Sequence, residues 1–360
     1  MILSISNGQF RDIIGDPGFG LPMRWDGQDF EKTLSKLFEE YTEALTVAGR
    51  DDGQEKHHLD ILIDLSEIRG LSDALLRCVK EYHRGFPATA FKIVDTVMTE
   101  LMKAPLKVYQ KSGALEPIES DRLHLFRLRK MGDGAKHPRS DLFHVPSCAR
   151  SMISTCRYSI AGYPSLYLTT SVELGKEEIG KASGDVLVSR FKLMRRQEEL
   201  NIRVLELGIR PQDFDEERIE DRDRNAWSKD LSRINFKDPS IRASYLRWYP
   251  LIAACSFVRA NKKSPFASEY IIPQLLMQWV RRQVHGNELM GIRYFSCASI
   301  RAAELGYDYV FPVSNTDYAA GYCTVLRNAF QLTEPVNLKD YDSVRGCEQE
   351  LRTARDFDKI

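Results

Sequence analysis

The sequence predicts an α+β protein, a helical first third followed by a region of short strands. Three observations predict it. Before about residue 105 apolar residues recur at helical spacing, and after about residue 120 they fall in short runs. Those runs do not alternate regularly with long helices, as a parallel βαβ chain would require.

Three helices are expected in the first third. Phe30, Leu34, Leu37, Phe38, Tyr41 and Leu45 form one amphipathic stripe. Leu71, Ala74, Leu75, Cys78, Val79 and Tyr82 repeat the pattern, started by Gly70 or Ser72 and stopped near Gly85-Phe-Pro87. A third helix, from about Ala88 to Leu101, uses Phe91, Val94, Met98 and Leu101 and ends before Pro105. These elements define a helical domain over residues 1–115.

Short strands follow. DRLHLFRLRK (121–130) alternates, with Leu123, Leu125 and Arg127 on one face and His124, Phe126 and Leu128 on the other. Leu166–Leu168, Val186–Leu193, Val204–Ile209, GIRYFS (291–296) and YVFPV (309–313) also read as strands, the last two flanking a short helix at Ile300–Leu305. PQDFDEERIEDRDR (211–224) carries ten charges in fourteen residues and reads as an exposed insertion, near 211–240. Two apolar helices come next, one over 245–260 that starts or kinks at Pro250 and one over 272–284 with Pro273 in its first turn. The strand-bearing domain is expected over 121–325, leaving 326–360 as a tail.

Composition narrows the function classes. The chain has 360 residues, of which 43% are hydrophobic and 28% charged, with 51 Lys+Arg against 51 Asp+Glu. That balance provides no basic field for wrapping nucleic acid. No apolar run reaches the roughly 18–20 residues of a membrane helix, and the opening MILSISNGQF lacks the basic and apolar regions of a signal peptide. The seven cysteines are scattered without a CxxC pair, which suits buried thiols in a reducing cytoplasm. His137, His144, Cys148 and Cys156 lack the tight paired spacing of a structural zinc site, so no metal is expected.

The stretch RYSIAGYPSLYLTTSVELGKEE (157–178) concentrates the chemistry. Gly162 and Pro164 make a turn into a strand, and Thr170 and Glu173 have capping-box spacing for a helix. On the wheel Val172, Gly175 and Ile179 cluster, Glu173 and Glu177 lie on the far side, and Glu178 falls between Leu174 and Gly175. A carboxylate on the packed side is costly unless paired or used. His144, in LFHVP, is expected to be a packed core histidine.

FRLR (126–129), RYS with the following LYL (157–168), a glutamate eleven residues after that tyrosine and GIRYFS together resemble the RES domain family. The resemblance covers residues 121–325 and implies an ADP-ribosyltransferase-like fold of short, mostly antiparallel strands with flanking helices. It further implies a bacterial NAD-consuming toxin. Matched residue by residue, it places the family arginine at Arg127, with Arg129 as the alternative, and a second arginine-aromatic pair at Arg157-Tyr158. The tyrosine is Tyr167, the catalytic glutamate Glu178 and the terminal serine Ser296.

The residue types suit that chemistry. Planar guanidinium groups at Arg127 and Arg157 clamp a diphosphate. An aromatic ring at Tyr167 or Tyr158 stacks on the cationic nicotinamide. A fixed carboxylate at Glu178 stabilises oxocarbenium character on the ribose, and the Ser296 hydroxyl orients substrate. Which nucleophile then attacks is left open: water, phosphate or a protein side chain, the last giving an ADP-ribosyltransferase. The resemblance also implies a restraint on NAD loss, by an antitoxin, a trigger such as phage infection, or residues 1–115, the region expected to carry any homo-oligomer contact. A separate reading takes Arg77 and His83 of RCVKEYH as the pair of a HEPN-like ribonuclease.

Overall fold

The computed structural model describes residues 1–49, 60–103, 115–117, 123–131, 137–180, 185–194, 203–215, 235–284, 289–314 and 321–360. In chain order the first elements are β1 (Ile2–Ile5), α1 (Asn7–Gly15), α2 (Phe30–Ala48), β2 (Ile61–Asp64), α3 (Leu65–His83) and α4 (Pro87–Lys103). Then come β3 (Leu115–Pro117), β4 (Leu125–Met131), β5 (Ser165–Thr169), α5 (Val172–Ile179), β6 (Asp185–Leu193) and β7 (Arg203–Leu207). The chain continues through α6 (Pro239–Ala254), α7 (Ile271–Gln283), β8 (Gly291–Phe295) and β9 (Tyr307–Pro312). It closes with α8 (Thr324–Ala329), β10 (Phe330–Leu332), β11 (Val336–Asn337) and α9 (Val344–Thr353). The fold class is mixed α and β, as expected.

Two compact units form. One comprises Met1–Ala114 with Ile209–Trp279, the other Leu115–Gly208 with Val280–Ile360. These differ from the divisions expected from sequence texture in two places. Residues 209–279 join the helical unit, because α6 buries Tyr245, Trp248 and Tyr249 where texture alone reads a strand-domain helix. Residues 326–360 are no tail, since β10 and β11 pair with β6 and α9 contributes Cys347 and Leu351 to a core with Phe126, Val172 and Val188. Of the charged run, 211–215 forms a short turn around buried Phe214, and residues 216–234 lie outside the described ones.

In the helical unit the expected stripes are buried, among them Leu34, Phe38 and Tyr41 on α2, Leu75 and Val79 on α3, and Val94 and Met98 on α4. Two helices start earlier than their apolar pattern suggests. The Asp64 carboxylate accepts from Ser66 N and starts α3, and Asp238 accepts from Ser240 N ahead of Pro239 to start α6. Helix α6 runs through Pro250. Proline has no N–H for the carbonyl four residues back, and Tyr41 fills the gap, its hydroxyl donating to Leu246 O at 2.7 Å.

The second unit is built on one sheet with order β10–β6–β4–β5–β9–β8–β7–β3 among the described residues, β11 lying beside β10 on β6. Neighbours are antiparallel except β7 and β8, which are parallel. Strand β4 pairs with β6 at seven positions from Leu125 to Met131, but meets β5 only at Phe126 opposite Thr169. The candidate site grows around this junction.

Candidate functional site

Helix α5 is set by close packing at both ends. Ser171, not Thr170, is its N-cap, accepting from Leu174 N at 3.1 Å. Thr170 is diverted because its hydroxyl accepts from Tyr307 N at 2.8 Å, tying the end of β5 to the start of β9. Gly306, at φ +143°, permits that approach, since a Cβ there would run into the Thr170 hydroxyl. Gly175 lies against Leu128 with no room for a side chain, which seats α5 on β4. Gly180, at φ +67°, ends the helix directly after Ile179.

All three glutamates of α5 meet the segment after β8. Glu178 Oε1 accepts from Ser296 Oγ at 2.5 Å, Glu177 from Ser299 Oγ at 3.3 Å, and Glu173 from Arg301 at 3.2 Å. The wheel puts Glu173 and Glu177 on the far side and Glu178 toward the packed side; the structure reverses the last two, with Glu177 half-buried against Ser299 because the 296–301 loop covers that flank. Glu178 is exposed as a residue, yet its carboxylate tip reaches a serine with 0% exposure. The result is a carboxylate on an exposed residue, backed by a buried hydroxyl, and Ser296 Oγ itself accepts from Ala298 N at 3.2 Å.

Behind this pair lies Asp308 on β9, only 3% exposed. The register sets it opposite Tyr294 on β8 and Thr169 on β5, and cross-strand partners share a face. Burial, then the charge of Glu178 and a hydrogen bond with it, hold the Asp308 carboxyl well above the usual range. Burial also raises the Tyr294 phenol, with Asp308, Glu178, Tyr167 and Tyr158 adding to the effect.

The cationic side of the site is carried by β4. Arg127 is half-buried as a residue, but its Nη1 is enclosed and has no hydrogen-bond partner. Burial lowers its pKa to about 10, Arg129 adds to the fall, and Tyr167 and Cys156 oppose it. Arg129, the alternative, has Nη1 committed to Asp141 O at 2.7 Å. Tyr167 donates to Tyr158 O at 2.7 Å, and the buried Tyr158 ring packs on Tyr294 at 4.6 Å and 51°. Arg157 is buried in the turn just before Tyr158. Glu178, Ser296, Asp308, Tyr294, Tyr158, Tyr167 and Arg127 thus form one connected set, with Tyr158 used mainly in packing.

His144 is a packed residue. Its Nδ1 bonds Val145 O at 2.9 Å and its Nε2 accepts from Cys323 N at 2.9 Å, the pattern of a neutral ring. Burial pulls its pKa down to about 4, and Arg127 pushes the same way despite the backbone bond to Val145. The other members of the zinc-like grouping are dispersed. His137 bonds Asp141 at 3.0 Å, Cys148 is exposed and Cys156 half-buried. Among the described residues no three His, Cys, Asp or Glu side chains converge on a metal position.

Arg77 and His83 are not brought together. Six residues along α3 rotate a side chain by about 240° net and lift it by about 9 Å. His83 instead meets Glu31 at 2.6 Å and Ser268 at 3.2 Å, while Arg77 lines a separate cavity of about 500 Å³ with Ala74, Lys92 and Ile93.

Sequence reasoning passed over Asp308 and Tyr294. A signal existed, since Asp308 is the one acid in the apolar run YDYVFPV (307–313), as Arg293 is the one base in GIRYF. No family model matches the chain and no solved structure matches it. It is similar to a protein of Bacillus subtilis (strain 168) named "Putative toxin YopC", 26% identical over 334 residues that cover 91% of this chain and 70% of that protein. Among the described residues no helix is long and apolar enough to cross a membrane.

Proposed function

We propose that this protein is an NAD-consuming toxin that cleaves the bond between nicotinamide and ribose. The observation that carries the reading is the 2.5 Å bond between Ser296 and Glu178, 118 residues apart in sequence. Glu178 is itself an exposed residue, so a ligand can reach it. Arg127 offers an enclosed guanidinium N–H without a partner, suited to a diphosphate oxygen, with Arg157 as the second cation. Tyr167, half-buried on β5, supplies the aromatic face. The name of the Bacillus subtilis relative agrees with a toxin.

In this mechanism the nicotinamide leaves with the bonding electron pair, and the carboxylate of Glu178 stabilises the positive charge that develops on the ribose. Ser296 holds the carboxylate in place and Tyr167 flanks the departing ring. Water or phosphate completes the reaction, and a protein nucleophile in their place would make the chain an ADP-ribosyltransferase. Such an activity requires restraint in its host, by an antitoxin, a trigger such as phage infection, or the helical unit.

The test is direct. Purified protein incubated with NAD should release free nicotinamide, with ADP-ribose, ADP-ribose-phosphate or a labelled protein identifying the acceptor. No nicotinamide release and no ADP-ribosylation in a lysate would overturn the reading. Arg77→Ala or His83→Ala should leave nicotinamide release intact; loss of toxicity with NAD still falling would instead favour a ribonuclease.

A further inference from the structure

The geometry points to Asp308 as the positioning residue of the site: its protonated carboxyl donates to the carboxylate of Glu178, so the two groups carry one negative charge between them, held on Glu178. This rests on the reading of Glu178 as the working carboxylate. Three observations lead to it. Asp308 is 3% exposed, and Glu178 is the carboxyl group that acts on it by charge and hydrogen bonding. Its Oδ2 is enclosed and has no donor. Glu178 already accepts from Ser296.

A buried carboxylate oxygen without a donor is costly, and two carboxylates in contact repel. A single proton on the other oxygen removes the repulsion and leaves Oδ2 as part of a neutral acid rather than an anion, because a neutral acid donates where an anion could only accept. Glu178 is then gripped from two directions, by the Ser296 hydroxyl and by the Asp308 acid, while its charge stays whole for the ribose. The titratable groups around Asp308 are Glu178 from α5 and Tyr294 from β8, with Tyr167 and Tyr158 acting on Tyr294. Burial and the neighbouring carboxylate both favour the protonated form.

The sign of the pH effect follows. With its folded pKa raised above the unfolded value of about 3.9, Asp308 contributes stability that is fully present below about pH 4. That contribution is lost as pH rises through the folded pKa. Asp308→Asn keeps a donor of nearly the same shape and cannot ionise; Asp308→Leu removes the donor.

The experiment measures nicotinamide release against pH, and melting temperature against pH without NAD, for the wild type and both variants. Activity of the wild type should fall on the alkaline side as the second carboxyl ionises. Asp308→Asn should lose that limb and retain kcat within about tenfold, whereas Asp308→Leu should lose on the order of 10²-fold, the cost of a misplaced catalytic group. Without NAD, the melting temperature of Asp308→Asn should gain on the wild type as pH rises from about 4. An alkaline limb that persists in Asp308→Asn, equal losses in both variants, or melting curves that stay parallel across pH would overturn the assignment. If the wild type releases no nicotinamide, the NAD reading fails alone, and the melting comparison still decides whether the two carboxyls share a proton.

Discussion

Strand β8 separates two buried carboxyl groups that obey opposite rules. On one side Glu206 of β7 lies opposite Arg293, with 0% and 1% exposure. Arg293 Nε donates to Glu206 Oε2 at 2.5 Å, Gly208 N fills Oε1 at 2.5 Å, and the guanidinium lies 5.2 Å from the Tyr307 ring. On the other side Asp308 faces Tyr294 and Glu178 and keeps an oxygen without a donor. Successive residues of a strand point to opposite faces, so Arg293 and Tyr294 send these clusters to opposite sides of one sheet. Burial of charge therefore does not mark a site by itself. The satisfied pair builds structure, and the incomplete one, next to Glu178, is the one the proposed chemistry would use.

Mutations can break this contrast. The largest effect is expected from Glu178→Gln, which should lower nicotinamide release on the order of 10³-fold while thermal unfolding stays cooperative; an unchanged rate would move the working carboxylate elsewhere. Arg293→Met should show the reverse pattern, destabilising the fold by about 3–5 kcal/mol as Glu206 loses its counter-charge. Adding Glu206→Leu should recover most of that loss in urea melts, and a double variant no better than the single would refute a simple pair.

Arg127→Lys sharpens the cationic side. Losing one charge-assisted hydrogen bond costs about 1.5–3 kcal/mol, so KM for NAD should rise roughly ten- to a hundredfold with little change in unliganded melting temperature. The smallest effect belongs to Glu173→Ala, whose pair with Arg301 has exposed partners on both sides. It should cost under about 1 kcal/mol and leave turnover alone.

What the sequence made legible was local. Helical stripes on α2 and α4, the strand containing Tyr167 and the turn at Gly162 follow from periodicity and breakers, and the structure carries them with small boundary shifts. Motif order brought Glu178 and Ser296 into one reading before their contact was visible. Three things stayed hidden because they depend on distant partners. Thr170 fits a cap locally but is claimed by Tyr307, and Pro250 fits a helix start but is tolerated because Tyr41 serves the freed carbonyl. Asp308 is a single acid among apolar residues, and nothing local tells an acid that shares a proton from one that meets an arginine.

The single bridge between β4 and β5 has a mechanical meaning. Among the described residues seven pairs bind β4 to β6 and five bind β5 to β9, so the ladder divides into two plates riveted at Phe126 and Thr169. Arg127 belongs to one plate, and Tyr167 to the other. A molecule gripped by both, as the proposed function requires, would act as a second rivet where the backbone provides one.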